Sequence, residues 1–153
     1  MKKILLAFIV VLAFTACKGD EGPMGPPGND GVGSYWIPTE FIIQPNQWKL
    51  EGNPDAPGSH FYVDVDLKEL KDDIFYDGIV VGYMAVALDN QDFPTVKQVL
   101  PYTTPLVEGS RNYTRTYDFD YEIEAVRFYL TYSDFKTSVR PSETQYFYII
   151  IAY

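Results

Sequence analysis

Apolar and polar residues alternate through most of the chain from residue 34 onward. HFYVDVD sets Phe61, Val63 and Val65 against His60, Tyr62, Asp64 and Asp66, the period-two pattern of a strand with one buried and one wet face. IEAVRFYLTY does the same, with Val126, Phe128, Leu130 and Tyr132 opposing Ala125, Arg127, Tyr129 and Thr131. GIVVGYMAVAL, from Gly78 to Leu88, is apolar on both faces and reads as a central, two-sided strand, and TQYFYIIIAY closes the chain as another. Shorter strand candidates are YWIPTEFII, NQWKL, TVKQVLPY and NYTRTYDFD. Turn signals separate them at Gly52-Asn53-Pro54, at Ala56-Pro57-Gly58 and from Pro101 to Pro105. Only LKELKDDI, Leu67 to Ile74, has the spacing of a helical turn. Residues 34–153 therefore predict an all-β antiparallel sandwich, immunoglobulin-like or jelly-roll-like, of about seven or eight strands.

One competing architecture shares this pattern. Phe147, Ile149, Ile151 and Tyr153 occupy alternate places up to the C-terminus, which resembles the closing strand of outer-membrane β-barrels. A barrel needs at least eight strands of ~9–11 residues, and the prolines interrupt several candidates. A last strand with one buried face gives the same alternation, so the sandwich is the stronger expectation.

The N-terminus has a different pattern. MKKILLAFIVVLAFTAC opens with Lys2-Lys3 and continues with an apolar run from Ile4 to Phe14. That run is shorter than the ~20 residues a helix needs to cross a bilayer and fits the h-region of a secretory signal peptide. Thr15-Ala16 then lead into Cys17, the chain's one cysteine. The arrangement resembles the lipobox of bacterial lipoproteins, with Phe14 where the pattern usually has Leu. The resemblance implies cleavage before Cys17 and a lipid-bearing Cys17 thiol, with residues 1–16 the discarded leader. One acyl chain holds a protein only marginally at a membrane, so a multiply acylated Cys17 is the physically sufficient anchor. The acidic residues in Lys18-Gly19-Asp20-Glu21 resemble the surface-export signal of some Gram-negative lipoproteins. Localisation at the outer membrane or cell surface follows as an expectation, with a periplasm-facing anchor as the alternative.

GDEGPMGPPGNDGVG follows, with glycine at every third place from Gly19 to Gly31. This is the collagen period, which exists because only glycine fits the axis of three polyproline-II chains. The triplets are few, and Asp20, Glu21 and Asp30 would stack like charges in a trimer. Residues 17–33 therefore read as a disordered or polyproline-II tether, in which the five triplets reach ~45 Å at ~3.1 Å per residue; a homotrimeric stalk is the alternative to a monomer. Lipobox cysteine, KGDxG, a few GPxGPxG triplets and a small β-rich head together resemble the collagen-like lipoproteins of Gram-negative bacteria. That likeness covers residues 1–33 and implies nothing about a ligand.

Composition narrows the partners. A net charge of −9 without a basic stripe excludes counterion-release binding to nucleic acid. One Cys and one His permit neither an internal disulfide nor a multi-His metal site. Nucleophile motifs are absent from the sequence, and Ser59 and His60, being adjacent on a strand, point to opposite faces. Asp118 or Asp120 facing another acid across strands is the remaining route to an enzyme. The loop Asp89-Asn90-Gln91-Asp92 offers oxygens of the kind Ca²⁺ takes, without an EF-hand pattern; no other cofactor is expected. Outward-facing Tyr62, Tyr129 and Tyr148, with Trp36 and Trp48 in edge or loop regions, are the candidate ligand-stacking aromatics. The expectation is thus a lipid-anchored surface protein with a non-enzymatic binding or adhesion head for a glycan or protein ligand. The alternative is a structural, self-assembling envelope component.

Overall fold

The computed structural model describes residues 35–87 and 96–153. Cys17, the Gly-X-Y stretch and the Asp89–Asp92 loop lie outside the described residues. Among the described residues, nine strands form two antiparallel sheets packed as a sandwich. β1 (Trp36–Ile43), β9 (Gln145–Ala152), β4 (Ile79–Val86) and β5 (Val96–Val99) make one sheet in that order. β2 (Lys49–Glu51), β3 (His60–Asp66), β8 (Ala125–Tyr132), β7 (Arg111–Glu122) and β6 (Tyr102–Glu108) make the other. The sheets do not close on each other, so the barrel reading of the C-terminal alternation is overturned. Phe147, Ile149 and Ile151 point into the sandwich core instead of into lipid.

The core is built from the inward rows of both sheets. Phe128 of β8 stacks on Phe147 of β9 with ring centroids 4.2 Å apart, and Phe41 of β1 meets Phe128 edge-on at 5.7 Å. Gly82 faces inward on β4, where a Cβ would come within 2.5 Å of the Phe119 ring. The missing side chain lets Phe119 of the opposite sheet lie directly on the β4 backbone.

Two local expectations needed correction. The stretch from Pro101 to Pro105 carries strand β6, not a turn. Pro105 pairs with Thr114 on β7, and β6 is the outermost strand of its sheet, the place where a residue without an N–H costs no ladder bond. The helix, α1, runs Asp72–Asp77 instead of Leu67–Ile74. Leu67, Leu70 and Ile74 are nevertheless all buried. Backbone bonds from Leu67 N to Glu124 O and from Glu124 N to Leu70 O, both 2.8 Å, hold the first turn of that segment against the β7–β8 connection.

Candidate binding surface

The two outer faces of the sandwich differ in kind. Register places Lys49, Glu51, His60, Tyr62, Asp64, Arg127, Tyr129, Asp118 and Asp120 outward on the five-stranded sheet. There Arg127 Nε donates to Asp64 Oδ1 at 2.6 Å, Lys49 lies 3.5 Å from the same carboxylate, and Tyr129 Oη donates to Asp120 at 2.6 Å. Partial desolvation pushes the Asp64 carboxyl up, but the Arg127 hydrogen bond and charge, with Lys49 behind them, outweigh it and hold it below its ordinary value. Across the strands Asp118 faces Tyr129 and Asp120 faces Arg127, so neither faces another acid. This is a wet face, as one layer of a sandwich requires.

The outer face of the four-stranded sheet is mostly dry. Its outward rows run Trp36–Ala152–Ile79, Pro38–Ile150–Val81, Glu40–Tyr148–Tyr83–Val99 and Ile42–Tyr146–Ala85–Lys97. Only Glu40 and Lys97 carry charge. Trp36 is 67% exposed and Ile79 64%, and Ile42 and Val99 are also exposed. Four strands ~4.8 Å apart and about seven residues long at ~3.3 Å each give this face a footprint of roughly 300 Å². That is the size of the largest apolar patch on an ordinary monomer, a class of patch that is often functional.

The five expected stacking aromatics fall in different environments. Tyr62 and Tyr129 are cross-strand partners on the wet face, but Arg127 lies 4.5 Å and Lys49 5.5 Å from the Tyr62 ring centroid. The Tyr129 ring rests against His60 at 5.6 Å. Tyr148 sits on the dry face under Lys97, which is 3.6 Å from its ring centroid, and its phenol donates to Glu40 at 2.5 Å. That hydrogen bond, with partial burial behind it, pushes the phenol pKa up. These three rings already have cationic or aromatic neighbours over or beside them. Trp48 is a correction: it is 1% exposed and belongs to the core. The 3₁₀ turn Pro45–Gln47 delivers it between the sheets, where it packs on Phe147 and Tyr117 at 6.3 and 6.4 Å. Trp36 alone of the five presents a large free surface.

Ser59 and His60 separate as strand geometry requires. Ser59 is buried, donating to Phe135 O at 3.2 Å and accepting from Thr137 Oγ1 at 2.9 Å, while His60 Nδ1 lies 3.0 Å from Gly58 O. Among the described residues, no group of three or more His, Cys, Asp or Glu side chains is placed to hold a metal.

Ile79, Val81, Ile150 and Pro38 were not among the expected site residues, because an apolar residue in a two-sided strand reads as core. The available signal was the two-sidedness itself: β4 and β9 are written for burial on both faces, and the described residues cover one. No protein family, curated protein or solved structure matches the chain.

Proposed function

We propose that this is a lipid-anchored surface protein whose sandwich head binds a protein partner, without catalysis, through the outer face of the β1–β9–β4–β5 sheet. The observation that carries the reading is the dry face. Strands with one solvated side ordinarily place polar residues there, as the five-stranded sheet does; here Trp36, Pro38, Ile79, Val81 and Ile150 stand in those places. A footprint of roughly 300 Å² is too small for a standard interface of ~800 Å² per partner, and fits the apolar centre of one with a polar rim around it. A protein ligand is favoured over a glycan because the rings of Tyr62, Tyr129 and Tyr148 have cationic or aromatic neighbours. Anchoring rests on the Cys17 sequence pattern, and the Gly-X-Y stretch serves as the tether.

Two measurements on detergent-solubilised envelopes test it. A fatty-acid label should enter the wild-type chain and not Cys17→Ser. By native sizing, the wild type should migrate well above the mass of one chain with its detergent micelle, and Trp36→Lys with Ile79→Lys should migrate at that mass. A wild type already at the mass of one chain with its micelle contradicts the partner reading. A purified chain that forms the large species by itself shifts the reading to self-assembly.

A further inference from the structure

Independently of the dry face, the inward row of β7 contains something a sandwich core does not need. Its inward positions read Arg111, Tyr113, Arg115, Tyr117 and Phe119, placing two guanidinium groups where apolar side chains are the rule. Three of the chain's four arginines, Arg111, Arg115 and Arg140, line one cleft together with Lys136, against only Glu108 and Glu143 among acids. In a chain of net charge −9, this gathers most of the guanidinium groups at one place.

Most of these cations are already engaged. Arg111 grips Asp134 with Nε and Nη2 at 2.5 and 2.9 Å, Lys136 Nζ donates to Asp55 at 3.0 Å, and Arg140 Nη1 donates to Trp48 O at 2.8 Å. Arg115 differs. Its closest carboxylate is Glu143 at 3.7 Å from Nη1, and its buried Nε has no hydrogen-bond partner among the described residues. Two residues along the same inward row, Tyr117 is 1% exposed with its hydroxyl also unpartnered. Buried donors are almost always satisfied, and leaving one unmade is costly. Burial pushes the Tyr117 phenol pKa upward, so it stays a donor at neutral pH.

Arg115, Tyr117 and Glu143 also line an adjoining cleft of about 540 Å³ between the two sheets, walled besides by Met84, Val86, Tyr102 and Thr104. A guanidinium matches a carboxylate with its planar fork, a neighbouring phenol supplies a further donor, and the mixed walls suit a ring. We infer that the cleft between β4 and β6–β7 binds a small carboxylate with a ring-sized body, its anion held by Arg115 and Tyr117. An acidic sugar and the C-terminal residue of a peptide both present this chemistry.

Calorimetric titration of the purified full chain separates these sources. Glucuronate represents the sugar, N-acetylphenylalanine the peptide terminus, methyl glucoside the uncharged control and acetate the bare anion. Saturable one-to-one binding of glucuronate or N-acetylphenylalanine is expected, with neither control binding. Arg115→Gln should raise Kd roughly tenfold or more, the worth of a charge-assisted contact. Tyr117→Phe should also raise Kd while keeping or raising Tm, because it deletes an unsatisfied buried hydroxyl. That pairing keeps the test open even if the arginine variant folds poorly. The inference is overturned if neither ring-bearing carboxylate saturates at millimolar concentration, if acetate binds equally well, or if Tyr117→Phe leaves Kd unchanged.

Discussion

Asp55 shows how much of this head is held by single side chains reaching between loops. Its carboxylate accepts from Lys136 Nζ at 3.0 Å and from Ser138 N at 2.8 Å, and its own N–H donates to Thr137 Oγ1 at 3.0 Å. Thr137 in turn donates to buried Ser59, so the Gly52–Gly58 turn and the 135–138 segment are tied through one acid. The Lys136 and Ser138 hydrogen bonds lower the Asp55 pKa to about 2. A carboxyl depressed in the folded state contributes stability that is complete above its unfolded value, near 3.8, and is lost as pH falls through the folded one. Wild-type Tm is therefore expected to fall as pH drops from about 4 toward 2. Asp55→Asn should lower Tm at neutral pH and flatten that acid limb, read by thermal melts across the range. An unchanged acid limb in the variant would remove Asp55 from this role.

Among the elements, the decisive contrast lies within the four-stranded sheet. Ile149 and Ile79 are both isoleucines on neighbouring central strands, one fully buried and one 64% exposed. Truncating Ile149 to Ala should cost about 2–5 kcal/mol through the cavity it leaves. Ile79→Lys should stay within about 0.5 kcal/mol, as exposed substitutions do. A large loss at Ile79, measured by denaturant melts, would mean that the dry face is structural rather than presented.

The strands themselves were legible because alternation is a local property: HFYVDVD and AVRFYLTY need only their own residues to fix which side is buried. β6 was hidden because Pro101 and Pro105 read as turn residues, and only its position at the sheet edge makes a proline harmless there. The aromatics were legible as outward-facing on β3, β8 and β9, but not as covered. Cation placement over Tyr62 and Tyr148 depends on Arg127 and Lys97 arriving from other strands. Trp48 was misplaced for the same reason, since a short 3₁₀ turn decides which way its ring swings. The Arg115–Tyr117 pair left no sequence signal, because an arginine in an alternating strand is assigned to the wet face by default.

At the scale of the whole molecule, each part has its own task in the proposed role. The sequence of residues 1–33 carries the pattern of a leader, a lipid-bearing Cys17 and a glycine-periodic tether. The head supplies a wet sheet, a dry sheet and, between them, a cleft that Arg115 and Tyr117 line. The central claim is that the dry sheet is an interface with another protein, and site-specific photo-cross-linking in intact cells tests it most directly. A photoreactive phenylalanine analogue in place of Ile79 should yield a discrete adduct heavier than the chain by the mass of a different protein. The same analogue in place of Asn112, outward on the wet sheet, should yield none. Absence of any adduct from Ile79, or equal adducts from both positions, would contradict the claim.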